Sequence, residues 1–389
     1  MTIKGKAYLV GAFEHPTRFA PDKPTAQLHA EVAMGAIEDA GLSKDDVDGL
    51  FVSGDAPGGL QSMGNYLSLK NLRHVDATDI GGVSPIVQVA HAAEAIALGK
   101  CNVAVVTLAG RPRADDIHTG TVPRIRHVAA PDVQWEFPYS ITAATGYALV
   151  AKRHMYQYGT TSEQLAWIKV AASHHAQHNP NAMLRDVVTV EDVVNSPMIS
   201  DPLHRLDCCV ITDGGGAVVI ARPEIARSLK RPLVKLIGAG ETTKHQEGGY
   251  MDLTYSGAAR TGPRAFQEAG VQPSDIKYAS IYDSFTITVL VQIEDLGFCE
   301  KGKGGAFVSD GNLISGVGKL PFNTDGGGLC NNHPTNRGGI TKIIEAVRQL
   351  RGEAHPAVQV KNCDLALAHG TGGNLGARHG SGTIILERE

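Results

Sequence analysis

The sequence predicts an α/β protein built as two similar halves, with a separate segment inserted between them. Three observations carry that expectation. Short apolar runs of strand length alternate with amphipathic helical stretches through most of the 389 residues. From Leu233 onward the order of elements repeats, in outline, the order before Gly110. Between Gly110 and Ser200 the character changes to prolines, charges and long helices, which marks an insertion over the core.

Taken in order, Lys6–Phe13 reads as a strand and Thr25–Ala40 as a helix closed by Gly41. Val47–Val52 and Arg73–Ala77 read as strands, the second running into Asp79-Ile80-Gly81-Gly82. The spacing of Ile86, Val89, Ala90, Ala93 and Ile96 predicts a helix over Ser84–Leu98, ended by Gly99. Asn102–Leu108 is continuously apolar, the pattern of a buried strand. Ala144–Tyr158 and Thr161–Gln177 read as helices of the insertion, and Cys208–Ile220 as a strand region broken by Asp213-Gly214-Gly215-Gly216. The second half offers strand Leu233–Ala239, helix Ser256–Gly270, strand Tyr278–Tyr282 and helix Thr286–Leu296. Helix Thr335–Leu350 follows, with Ile340, Ile343, Ile344 and Val347 on one face, then strands Leu365–Ala368 and Thr383–Leu386. Pairing Ser84–Leu98 with Thr335–Leu350, and Ala217–Ile220 with Thr383–Leu386, suggests two copies of a βαβαβαββ unit.

Composition narrows the function classes. The chain is 42% hydrophobic but 5% aromatic, so an aliphatic core is expected. A net charge of −4 without basic or acidic blocks argues against a nucleic-acid partner. No apolar run reaches the roughly 18 residues of a membrane span, and Met1 to Lys6 lacks the apolar stretch of a signal peptide. Six dispersed cysteines without metal-ligand spacing read as free thiols in a reducing cytosol, hence a cytoplasmic protein. Of these, Cys208 and Cys209 read as buried and structural.

Three C-terminal segments carry the chemistry: Tyr282-Asp283-Ser284-Phe285, Cys330-Asn331-Asn332-His333-Pro334 and His369-Gly370-Thr371-Gly372-Gly373. Each falls in an expected loop beside a strand or helix end. Together they offer a phenol, two imidazoles, a carboxylate and a glycine-rich backbone, the groups needed for acid–base work on a polarised carbonyl. Asp283 reads as a loop-orienting carboxylate or a catalytic one, and Cys330 as a packed thiol or a nucleophile. His174 and His178 stand at i,i+4 without an acidic or cysteine partner and read as a solvated helix face, so no metal is expected. Asp213-Gly214-Gly215-Gly216-Ala217 lacks the Gly-x-Gly-x-x-Gly spacing of a nucleotide loop.

These segments, in this order, resemble the thiolase superfamily, specifically its sterol-carrier/lipid-transfer branch, and the resemblance covers essentially the whole chain. That branch carries a His-Asp-Cys-Phe loop, a Gly-His-Pro loop and a glycine-rich loop; here they look like Tyr282–Phe285, Asn332–Pro334 and His369–Gly373. The resemblance implies a thiolase fold: two βαβαβαββ halves in a five-layer αβαβα core with an inserted loop domain. Residues 1–110 and 201–225 would form the N-terminal half, 111–200 the loop domain and 226–389 the C-terminal half. It implies an acyl-coenzyme A thioester as substrate, no permanently bound cofactor, a homodimer, and a small OB-fold, zinc-ribbon protein as possible partner. We expect the dimer contact at the strand Asn102–Leu108.

The departures from the family pattern shape the expected reaction. Counting back from Gly99, Gly82 stands where a thiolase has its nucleophilic cysteine at a helix N-terminus. Tyr282 replaces the histidine and Ser284 the cysteine of His-Asp-Cys-Phe, and Asn332 replaces the glycine of Gly-His-Pro. What remains is an oxyanion hole from backbone N–H groups at Gly82 and Gly372, with His333 as a further donor. Tyr282, whose free pKa is about 10, and His369 are the acid–base candidates. This set fits aldol or retro-aldol cleavage of a β-hydroxyacyl-CoA without an acyl-cysteine. Some thiolase-like lipid-transfer proteins are aldolases of that kind. The competing readings are an acyltransferase using Cys330 or Ser284, and a non-catalytic acyl-CoA-binding subunit. Trp135, Phe137 and Tyr139 of the insertion are candidates for lining a bulky acyl group.

Overall fold

The computed structural model describes residues 2–118, 142–244, 252–334, 338–374 and 378–389. Its strands are β1 Tyr8–Glu14, β2 Gly49–Val52, β3 His74–Asp76, β4 Val103–Gly110, β5 Met198–Ser200 and β6 Leu203–His204. Then come β7 Gly214–Ala221, β8 Val234–Lys244, β9 Tyr278–Ile281, β10 Leu365–Asn374 and β11 Arg378–Arg388. Nine of them hydrogen-bond in the order β3-β2-β4-β7-β1-β8-β11-β10-β9, while β5 and β6 pair separately.

The duplication is visible in this order. The seam between β1 and β8 is short, pairing Tyr8 with Lys235 and Leu9 with Val234. Outward from it, β1-β7-β4-β2 are related by antiparallel, antiparallel and parallel pairings. On the other side β8-β11-β10-β9 repeat those three relations. As the sequence suggested, β7 and β11 are counterparts, and so are the helices Ser84–Ala97 and Gly339–Arg351 that precede β4 and β10.

Those two helices fill the middle layer. Ile86, Val89 and Ala93 of one and Ile340, Ile343 and Val347 of the other share a core with Val106, Ile220, Ala368 and Ile384 from the strands on either side. Outside the first half, Val32, Ala36 and Ile37 of the helix Thr25–Asp39 pack on Val10, Val105 and Val219. Outside the second, helices Ala258–Ala269 and Thr286–Asp295 cover Ile237, Leu367 and Ile385. Helices Ala143–Tyr158 and Ser162–Ala176 join this same core. The result is the five-layer αβαβα arrangement of a thiolase fold. Helix Thr286–Asp295 is buried at every position, because it packs against those two helices and over the sheet at once.

Three expectations change. β4 lies between β2 and β7, so its apolar run is satisfied within the chain and offers no edge to a second subunit. β7 begins at Gly214; Cys208–Asp213 lies outside the sheet. The helix read as Thr335–Leu350 is Gly339–Arg351, with residues 335–337 outside the described residues, as are Trp135, Phe137 and Tyr139.

Candidate active site

The site forms where the middle layer meets the C-terminal half. The helix Ser84–Ala97 starts from a tight turn, Gly81–Val83, in which Gly81 has φ +71°. The Ser84 hydroxyl braces it, accepting from Ile80 N–H at 2.9 Å and donating to Gly81 O at 2.7 Å.

This turn lies on a floor of glycine. β10 and β11 alternate, so Gly370, Gly372, Gly380 and Gly382 point inward, with Gly370 paired to Gly382 and Gly372 to Gly380. A β-carbon at Gly372 would come within 1.7 Å of Ile80 O, and one at Gly380 within 2.1 Å of the Ile80 side chain. The glycine-rich segment is thus strand, not loop. Its glycines let two backbones meet.

Tyr282 follows β9 directly and turns its phenol onto Gly82. An ideal β-carbon at Gly82 would stand 2.5 Å from Tyr282 Oη and 2.7 Å from Thr371 O. The space for a side chain on residue 82 is therefore filled by the tyrosine. Tyr282 Oη and His333 Nε2 are 2.9 Å apart, a hydrogen bond whose proton sits on either atom according to the imidazole tautomer. The two rings meet edge to face with centroids 5.4 Å apart, and both residues are buried. Gly338 and Gly328 line the imidazole, since a β-carbon on either would approach His333 Cδ2 to 2.9 or 3.0 Å.

Asp283 is a strut. Its fully buried carboxylate accepts the N–H groups of Gly328 (2.8 Å) and Leu329 (3.1 Å) and pairs with Lys342 Nζ at 2.7 Å. It thereby ties the Tyr282 loop to the short helix Gly327–Cys330 that leads to His333. Ser284 Oγ lies 3.1 Å from Thr288 Oγ1, at the start of the next helix.

His369 is not brought to this pair. Strand alternation puts it on the opposite face of β10, beside Leu367, where Nδ1 meets Thr383 Oγ1 at 2.8 Å. Thr383 in turn meets Thr261 of the outer helix at 2.8 Å. Burial, with a smaller contribution from His379, pushes the His369 imidazole down to about 3, so it stays neutral near pH 7. Cys330 also points away, into the core it shares with helices Ala143–Tyr158 and Ser162–Ala176, where it accepts from Lys169 Nζ at 3.1 Å. Burial raises its thiol above the usual value, the opposite of an activated nucleophile.

Several residues that the sequence did not single out hold the site. Gln292 Nε2 donates to Tyr282 O at 2.8 Å. Glu14 Oε1 accepts from Arg18 (2.7 Å), Asn332 Nδ2 (3.0 Å) and Asn331 Nδ2 (3.2 Å). The Asp213 carboxylate accepts from Ala20, Arg113 and Ala114 N–H; Gly214–Gly216, read from the sequence as a break in the strand, are instead the first residues of β7. His178 stacks on His355 with centroids 5.0 Å apart, and among the described residues no group of three His, Cys, Asp or Glu is placed to hold a metal. No helix among them is long and apolar enough to cross a membrane.

A phenol–imidazole pair against the N-terminus of a central helix, in a duplicated five-layer fold, defines a thiolase-like enzyme. The family described as Thiolase C-terminal domain-like matches residues 240–388. An acetyl-CoA acetyltransferase of Methanothermobacter thermautotrophicus is 36% identical over 362 residues, covering 89% of this chain and 91% of the relative. A steroid side-chain-cleaving aldolase of Thermomonospora curvata is 36% identical over 337 residues, 84% of this chain and 85% of the relative. Among solved structures, an Ltp2-ChsH2(DUF35) aldolase superposes with a TM-score of 0.89 at 31% identity, covering 99% of this chain and 98% of that one. The chain belongs to the thiolase superfamily, within its sterol-carrier-type, aldolase-containing branch.

Proposed function

We propose that the protein is a carbon–carbon lyase that cleaves a β-hydroxyacyl-CoA by a retro-aldol reaction. One observation carries the reading: the Tyr282 phenol occupies the space at residue 82 where a thiolase nucleophile would stand, and His333 bonds it. In the reaction the pair accepts the proton of the substrate 3-hydroxyl as the C2–C3 bond breaks. The bond electrons pass into the thioester as an enolate, and a carbonyl product leaves. Backbone N–H groups at the helix start around Gly82 stabilise the enolate oxygen. The proton then returns to C2. No electron acceptor and no acyl-enzyme are needed. The steroid side-chain-cleaving relative supports this reading.

Heteromer formation with a DUF35-type protein belongs to the same proposal, supported by the name of the solved relative; the expected OB-fold, zinc-ribbon character of that partner is part of the proposal. So do a homodimer and a cytoplasmic location, the latter supported by six free cysteines. The test is single-turnover cleavage of a β-hydroxyacyl-CoA with the partner present, with mass spectrometry of the protein. We expect turnover without a covalent adduct, and a loss of about 10²–10⁴-fold in Tyr282→Phe with acyl-CoA binding little changed. An acyl adduct, or cleavage that requires free coenzyme A and is abolished by Cys330→Ala, would show a thiolytic transferase instead.

A further inference from the structure

The residues just before β7 belong to the N-terminal half, yet they lie between the two loops that carry Tyr282 and His333. Cys209 N–H donates to Ser284 O at 2.9 Å, and Val210 N–H donates to Gly328 O at 2.9 Å. Two residues further, the Thr212 hydroxyl is fully buried and uses both of its capacities on the His333 loop. It accepts the backbone N–H of His333 at 2.9 Å and donates to Asn332 Oδ1 at 2.6 Å. The other end of that amide is also held, because Asn332 Nδ2 donates to Glu14 Oε1 at 3.0 Å. Glu14, at the end of β1, is clamped by Arg18 at 2.7 Å and Arg348 at 3.2 Å. Burial opposes its charge, but Arg18 and then Arg348 outweigh burial and keep its carboxyl below the usual range.

We infer that Thr212 is a positioning residue for the proton-transfer pair: through Asn332 and Glu14 it sets the place of the His333 ring against Tyr282 Oη. The inference rests on the reading of Tyr282 and His333 as that pair. It also gives Asn332 a purpose. Where the family pattern has glycine, this chain has an amide that links Thr212 to Glu14. A hydroxyl is required, since a methyl in its place leaves a buried N–H and a buried amide oxygen without partners. The imidazole would then settle off its productive position, and proton-transfer chemistry is sensitive to about 1 Å of misplacement.

The experiment measures kcat, KM and the pH dependence of kcat for Thr212→Val, Thr212→Ser and Tyr282→Phe, with the partner protein present and folding checked by thermal melting. For Thr212→Val we expect kcat to fall about 10- to 100-fold, with KM within about twofold. The limb of the pH profile that belongs to the pair should move, and Thr212→Ser should restore both rate and profile. Wild-type kcat and profile in folded Thr212→Val would overturn the inference. So would a fall in kcat with an unmoved profile that serine does not rescue. If Thr212→Val does not fold, Asn332→Gly takes its place, and a wild-type rate and profile there overturn the inference equally. A wild-type rate in Tyr282→Phe would instead overturn the reading of the pair, and the inference with it. Loss in Tyr282→Phe with no change in the Thr212 variants separates the two failures.

Discussion

At Gly82 a β-carbon and a phenol compete for one space, and the phenol has it. The absence of a side chain at Gly82 is what admits the tyrosine, so the two residues share one space. Gly82→Ala should therefore be costly although it adds a single methyl. The clash includes Thr371 O, a backbone atom that cannot swing aside. We expect destabilisation of about 1–3 kcal/mol and a loss of turnover as Tyr282 is displaced. Thermal unfolding and the cleavage assay check this, and wild-type behaviour in both would contradict it. At this scale the sequence was partly legible. Motif order singled out Tyr282, His333 and Gly82, which the fold brings together. His369 was expected in a loop beside this pair and lies instead within β10 on the opposite face, because a His-Gly-x-Gly-Gly run reads as a loop until the partner strand shows its alternation.

The elements around the pair are held by buried charge. The short helix Gly327–Cys330 has its early N–H groups bound by a carboxylate from another loop, and Lys342 from the central helix neutralises that carboxylate. Lys342→Met keeps the side-chain bulk and strands Asp283 without its cation. The expected loss is about 3–5 kcal/mol of stability, measured by urea unfolding. A loss under about 1 kcal/mol, the scale of a surface pair, would contradict the strut. The carboxylate was visible in the sequence as a loop-orienting candidate. Its partner was not, since Asp283 and Lys342 stand far apart in the chain and only packing brings them together.

Across the whole molecule, two features join the halves and expose an edge. His91 on the helix Ser84–Ala97 bonds Glu241 of β8 at 3.1 Å and Asp76 of β3 at 3.0 Å. The bond to Glu241, and then that to Asp76, outweigh partial burial and raise its imidazole to about 9. A raised histidine stabilises fully below its unfolded value of about 6.5, and that contribution is lost as pH rises through about 9. The melting-temperature gap between wild type and His91→Gln should be widest near pH 6 and close above pH 9; a gap independent of pH would refute the latch. At the ends of the sheet, β9 is covered by Pro321–Asn323, which exchange hydrogen bonds with Ala279. β3 ends the other side, with Val75 47% exposed. An open edge invites pairing with a second copy. Val75→Lys should therefore shift the protein toward monomer in sedimentation, and a wild-type species that is already monomeric would exclude this contact.

The sequence by itself determined the repeating strand–helix order, the aliphatic core and the three chemical segments, because periodicity and side-chain type are local properties. It also determined that residue 82 carries no nucleophile. The tertiary structure decided which of the candidates meet. Period-two alternation turned His369 outward, core packing buried Cys330 against Lys169, and the meeting of glycine backbones let Tyr282 reach Gly82. It also decided that β4 is an interior strand, that Thr212 bonds the backbone of His333 and that Glu14 bonds Asn332 beside it. These outcomes depend on contacts between residues up to hundreds of positions apart. Distances of that kind arise from how layers stack and carry no signature in the local pattern of the chain.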